Sequence, residues 1–300
     1  MRRSLGWPSG GLVAATLLVV FLSLVPERGA AEDSPNEPTT DPSTQDAGEI
    51  ARKLANPVSD IWGLQFQQNT TFLDIEDHAS RANANLIFQP LLPLHLTDQW
   101  NLINRPVFTL VNDTPYVDGG GEFHRTTGFG DTILATLLSP NKGHWLLGIG
   151  PSFVLPTASS DHTGQGKWQV GPAGVIGYQF EKFLVGVFPQ QWWSFAGSGQ
   201  RDNVSQLNCQ YFIQYFPAPG WNVGMGPNIL VDWKASGGNR VTFPIGLGMG
   251  KVVRFGKLPI KFQIEGQFMP VRPDPVGQMW NIRIQITPVI PVLVKRNLLG

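Results

Sequence analysis

The feature that most constrains this chain is a two-residue period of oily and wet side chains in its C-terminal third. From Ile260 to Phe268 the even positions are Ile260, Phe262, Ile264, Gly266 and Phe268, and the odd ones are Lys261, Gln263, Glu265 and Gln267. Trp280 to Pro288 repeats it, with Trp280, Ile282, Ile284, Ile286 and Pro288 set against Asn281, Arg283, Gln285 and Thr287. Neighbouring side chains of a strand point to opposite faces, so each segment is a strand with one apolar face and one polar face. Trp221 to Lys234 and Gln206 to Tyr215 carry the same pattern. Leu86 to Leu96 holds two prolines and Thr132 to Leu138 is apolar on both faces, so their registers are less plain.

Strands are predicted at 60–70, 84–96, 99–112, 127–138, 144–157, 167–180, 183–196, 203–216, 221–235, 239–254, 258–270 and 277–292. The connections alternate in length. Those at 97–98, 139–142, 181–182, 217–220 and 256–257 are tight, while those at 71–83, 113–126, 158–166, 197–202 and 271–276 are longer; 236–238 is the exception. An even number of strands with short turns at one end and longer loops at the other predicts an all-β fold, a transmembrane antiparallel barrel of about twelve strands.

The N-terminus predicts export. Met1, Arg2 and Arg3 give a positive start, Gly11 to Val25 an apolar core, and Gly29 and Ala31 a small-residue cleavage site. Residues 1–31 are therefore expected to be a signal peptide, the alternative being an uncleaved anchor helix. Residues 32–56 are expected to be a disordered leader, because 32–49 lack large apolar residues, with a short helix at Ile50 to Ala55 that Asn56-Pro57 stops. The barrel is assigned to 57–300.

A soluble β-sandwich would also alternate, so the surface has to decide. Aromatic residues make up 11% of the chain and charged ones only 15%, an unusual surface for water. Trp62, Trp100, Trp145 and Trp221 fall near the short-turn side, and Trp168, Trp192, Trp193, Trp233 and Trp280 near the long-loop side, as two interfacial belts would require. The wet face is rich in amides, including Gln65, Gln89, Gln169, Gln214 and Gln267, each costing about 1–3 kcal/mol if buried unpaired. A polar lumen avoids that cost. Charges turned to lipid cost roughly 2–4 kcal/mol for a midplane cation, which places Arg105, Asp131, Asp232, Lys261, Glu265 and Arg283 inside.

A succession of motifs also carries a family resemblance over nearly the whole exported part. Asn56-Pro57-Val58, Phe66-Gln67, Trp100-Asn101-Leu102-Ile103-Asn104-Arg105, Gly128-Phe129-Gly130-Asp131-Thr132, Leu138-Ser139-Pro140, Gly148-Ile149-Gly150-Pro151, Leu155-Pro156-Thr157-Ala158, Gly166-Lys167-Trp168, Gly171-Pro172, Gln191 to Gly197, Asp232-Trp233-Lys234-Ala235 and Arg272-Pro273 stand in order. Together they resemble the bacterial outer-membrane family related to the meta-pathway of phenol degradation proteins, often labelled transporter or neuromedin U. The resemblance implies an outer-membrane barrel and says little about cargo. One departure is the C-terminus, which runs on to Gly300 where such barrels commonly end on an aromatic residue.

No histidine among His78, His95, His124, His144 and His162 stands in a metal-ligand spacing or beside a nucleophile motif, and the lone Cys209 excludes a cysteine metal cluster. No catalytic residue, cofactor or metal is therefore expected, and zero net charge without a basic run argues against nucleic acid. The expected partners are outer-membrane lipid, a small-molecule solute and the barrel-assembly machinery. Arg105, Asp131, Asp232, Glu265 and Arg283 are the candidate lumen residues, since charged rings in a pore select by sign. The leading expectation is a channel or transporter for small molecules, hydrophobic or aromatic compounds included. A closed structural or binding barrel and a soluble periplasmic β-protein are the alternatives.

Overall fold

The computed structural model describes residues 46–298 apart from 76, 77, 142, 275, 293, 295 and 296. The expected signal peptide, residues 1–31, and the expected leader up to residue 45 lie outside the described residues. After one helix, α1 (Ala47–Ala55), come fourteen strand segments. They are β1 (Gly63–Ile75), β2 (His78–His95), β3 (Trp100–Val117), β4 (Phe123–Gly128), β5 (Thr132–Pro140), β6 (Trp145–Leu155) and β7 (Lys167–Gln179), then β8 (Phe183–Gly197), β9 (Ser205–Tyr215), β10 (Trp221–Met225), β11 (Asn228–Asp232), β12 (Val241–Phe255), β13 (Leu258–Val271) and β14 (Val276–Pro288).

Two pairs of segments are single staves with a break. β4 and β5 both pair with β3, either side of Phe129 to Asp131; β10 and β11 both pair with β9 and β12, either side of Gly226-Pro227. Fourteen segments less these two breaks leave twelve antiparallel staves, and β1 closes the sheet on β14 from Phe66↔Ile286 to Ile75↔Val276. Closure leaves no edge of unpaired backbone, which a bilayer interior would penalise.

Burial is inverted relative to a soluble protein. On β14 the outward Ile282, Ile284 and Ile286 are 40–44% exposed, while the inward Asn281, Arg283 and Thr287 are at most 8% exposed. Ile149 and Leu247 stand at 71% and 69% on the same outer surface, where Phe66, Phe88 and Phe108 also stack across β1, β2 and β3. Such a continuous apolar exterior requires a partner other than water.

Seven tryptophans, Trp100, Trp145, Trp221, Trp168, Trp193, Trp233 and Trp280, are outward and exposed at the two ends of the staves. Trp62 and Trp192, expected in the same belts, are instead buried: their indole N–H groups donate to Pro93 O at 2.9 Å and to Ser152 Oγ at 3.0 Å. Strand geometry explains Trp192, because adjacent Trp192 and Trp193 must face opposite sides.

The long-loop end also differs from expectation. Residues 71–83 and 113–126, expected as loops, are mostly strand: β1 and β2 pair on to Ile75↔His78, and β3 and β4 to Val117↔Phe123. Asn, Thr and Asp there read as loop by composition. A hydrogen-bonded ladder that has risen into water can be polar on both faces, and Arg125 clamps it through Asp113 at 2.7 and 3.2 Å. At the opposite end the turns are tight, with Gly220 and Gly256 at φ of 76° and 61°.

Candidate functional site: the filled lumen

The interior has two levels. At the short-turn level, Leu137, Leu146, Leu184, Phe188, Phe212, Phe216, Val252 and Val289 are buried together with α1. The helix suits that place because Ala47, Ile50, Ala51, Leu54 and Ala55 recur at three- and four-residue spacing and form one apolar stripe. Ile50 and Ala51 have no exposure at all. Asp46 caps the helix by accepting from Gly48 N at 2.8 Å, and Lys53 pairs with Glu49 and Asp60, each at 3.1 Å. Asn56 ends it, its Oδ1 accepting from Val58 N at 2.9 Å. The chain then runs up inside the barrel until Trp62 and Gly63 join the wall, where Ile290 N donates to Trp62 O at 3.0 Å.

Above this layer the interior is polar. Gln65, Gln67 and Asn69 on β1 bond to one another and to Gln89 and Asn85 on β2, the tightest contact being Asn69 Nδ2 to Asn85 Oδ1 at 2.8 Å. Asn281 and Thr71 extend this amide track towards the long-loop end.

The five candidate charges divide into three settings. Glu265 and Arg283 are opposed in the β13–β14 register and come together, with Nη1 3.8 Å from Oε2. Glu265 Oε1 accepts from Gln267 Nε2 at 2.8 Å and from Gly226 N at 3.3 Å, while Arg283 Nη1 donates to Gly226 O at 2.9 Å. The pair thus clasps the break between β10 and β11 across β12. β12 allows this because Gly246, Gly248 and Gly250 are three successive inward positions without side chains. A Cβ on Gly248 would lie 2.8 Å from Glu265 Cβ, and one on Gly246 2.9 Å from Glu265 Oε1.

Arg105 stands apart from that pair. It is 8% exposed, its Nη1 donates to Pro57 O at 3.0 Å, and its guanidinium lies 5.5 Å from the Phe188 ring centroid. β3 and β8 are four staves apart, so the side chain spans the lumen between them and holds the N-terminal segment on its way. Asp131 and Asp232 lie at the long-loop end. Asp131 accepts from Ala158 N and Gln165 N at 3.2 and 2.7 Å; Asp232 is exposed and accepts from Lys234 N at 2.9 Å.

Asp131 thereby fixes the 156–166 connection, which lies across the outer mouth. Thr163 O accepts from Asn112 on β3 at 3.4 Å, and Gln165 bonds Gln206 on β9 at 3.0–3.2 Å. His162 stacks on Tyr116 with centroids 3.7 Å apart. In the neighbouring outer turn Asp118 accepts from Gly120 N, Glu122 N and His124 Nε2, all at 2.9 Å. These contacts, led by the Glu122 N–H and then His124, hold the Asp118 carboxyl below its ordinary range.

Sequence reasoning expected a short helix at Ile50 to Ala55 but made neither that segment nor Lys167 a site candidate, and it placed Lys261 inside without making it one. Lys167 and Lys261 are 7% and 3% exposed on the inner face. The parity that placed Trp168 outward and Glu265 inward carries both of these positions.

The chain folds like a solved outer-membrane channel from Pseudomonas putida F1, with a TM-score of 0.57 and 16% identity over 77% of this chain and 94% of that one. The fold is that of a bacterial outer-membrane barrel. The barrel's apolar belt, closed sheet and polar interior agree with a place in that membrane. Weaker likenesses are to the NanC porin (TM-score 0.45, 7% identity, 76% of this chain and 98% of that one) and to the β domain of the Bordetella autotransporter BrkA (0.43, 12%, 77% and 100%). No protein-family model and no curated protein matches the chain.

Proposed function

We propose that this barrel is a channel for small molecules across the outer membrane, held closed here by its own N-terminal segment, and that it belongs to the family its motifs resemble. The observation that carries the reading is the seat of Ala47 to Ile61. The segment packs inside the barrel at the short-turn end, yet it belongs to no stave of the sheet. Apolar contact and the Arg105–Pro57 hydrogen bond hold it there. A plug held by side chains can leave while every strand pairing stays intact.

The amide-lined wall above the plug suits hydrated solutes, which exchange hydrogen bonds with it at little net cost. Hydrophobic or aromatic compounds stay within the proposal, because Phe188, Phe212 and Phe216 face inward below it. A second reading, a closed structural barrel, is favoured by the Glu265–Arg283–Gly226 clasp, which fills the interior with satisfied contacts. Solute flux into liposomes separates the two. The channel reading expects sugar or amino-acid entry that rises when Arg105→Ala frees the plug; no flux from either protein supports the closed barrel.

A further inference from the structure

We infer that the lumen selects small anions, carboxylates and phosphate alike. This rests on the channel reading and names its solute class. Among the described residues, the buried charged side chains are Arg105, Lys167, Lys261 and Arg283 against Glu265 alone. The chain as a whole carries no net charge, so this excess is a partition imposed by strand parity, with acids such as Asp113, Asp118, Asp161 and Asp232 held at the long-loop end.

Pairing sharpens the imbalance. Among the described residues the one buried carboxylate, Glu265, is engaged by Arg283, Gln267 and Gly226 N. Arg105 is met by a carbonyl and an aromatic face, neither of which carries charge. Among the described residues no carboxylate lies within 4.0 Å of the Arg105 guanidinium or of the Lys167 or Lys261 ammonium groups. Lys261 reaches over the glycine run of β12, where its Cε would lie 3.2 Å from a Cβ on Gly250, the same point that lies 2.5 Å from Asn222 Oδ1. It therefore occupies the side-chain-free trough of β12, buried beside Asn222 of β10.

A low-dielectric interior magnifies uncompensated charge, and a lumen lined by one sign concentrates counter-ions. An entering anion offsets the desolvation of Lys167, Lys261 and Arg105; an entering cation meets that charge without compensation. The positions are spread from the long-loop end, where β7 begins at Lys167, to the plug at Arg105, so an anion moves between successive cations.

The test is the reversal potential of the reconstituted full chain under a potassium chloride gradient, repeated with acetate or phosphate replacing chloride. Anion-selective current is expected, falling about threefold or more in selectivity with Lys261→Glu and with Lys167→Glu. Retention of acetate and phosphate current shows that both oxyanions pass; loss of one narrows the class. Cation-selective or unselective current overturns the inference and leaves the channel standing. Should no condition conduct, the channel reading fails by itself, and anion affinity is read from thermal unfolding in detergent with added phosphate at constant ionic strength. Stabilisation that Lys261→Gln and Lys167→Gln reduce supports the site; equal response in all three proteins overturns it.

Discussion

Arg105 Nη1 reaches inward from β3 to meet the carbonyl oxygen of Pro57 at 3.0 Å, and Phe188 of β8 lies against its guanidinium. A hydrogen bond from a charged donor contributes about 1.5–3 kcal/mol, and here it falls on a segment outside the sheet. Arg105→Ala is expected to lower amide-exchange protection of residues 50–61 by roughly ten- to a hundredfold, since 1.4 kcal/mol is a tenfold change. The strands should exchange as before. Hydrogen-exchange mass spectrometry of the protein in detergent makes the comparison.

The Glu265–Arg283 pair behaves differently, because both partners belong to the wall. Removing one member of a buried pair leaves the other unpaired, at about 3–5 kcal/mol, whereas removing both costs much less. Arg283→Met is expected to shift the urea midpoint strongly, and Arg283→Met with Glu265→Gln to restore much of it. A double-mutant cycle showing simple additivity would contradict the clasp.

Gly248 has a stricter role than flexibility. A side chain there would meet Glu265 Cβ at 2.8 Å and the Ile264 carbonyl oxygen, so Gly248→Ala must push β12 away from β13. Overpacking of this kind costs typically about 1–3 kcal/mol. The expected outcome is a lower yield of folded barrel on refolding into detergent, read from heat-modifiable gel migration. Gly238→Ala, where nothing lies within 4 Å, is the control.

The outer turn at Asp118 should be acid-sensitive in a defined direction. Its carboxyl is held low by the Glu122 N–H and by His124, so the folded turn prefers the ionised form. That preference is complete above the ordinary carboxylate value of about 4 and is lost as pH falls through the lowered folded value. Protease nicking at 118–122 is expected to stay constant from neutral pH down to the ordinary carboxylate value of about 4 and to rise as pH falls further. Asp118→Asn should be nicked readily across the whole range.

How much of this was legible beforehand follows from what alternation encodes. Parity placed Glu265, Arg283 and Lys261 inside and Ile264 and Ile282 outside, because a two-residue period is a property of the chain alone. The register that opposes Glu265 to Arg283 depends on how β13 turns into β14, which composition does not specify. Thr132 to Leu138 carried a signal of another kind. It was apolar on both faces, and the structure shows why: Ala135 and Leu137 face the buried apolar cluster that α1 joins, while Leu134 and Leu138 face outward. An apolar inner face in a barrel strand marks where something apolar sits within. Arg105 gave no such sign, since its partner is a backbone carbonyl 48 residues away. Asp131 and Asp232 obey the same parity as the lumen charges, and only their height along the stave puts them with the loops.

The most direct test of the plugged-barrel account is single-channel recording of the full chain beside Ile50→Asp. Ile50 has no exposure within the apolar layer, so a carboxylate there should expel α1 while leaving the strand ladders whole. The account predicts rare or small openings for the unmodified protein and frequent, larger ones for the variant, both with the same heat-modifiable folded form. Equal conductance in the two proteins, open or silent, would contradict it.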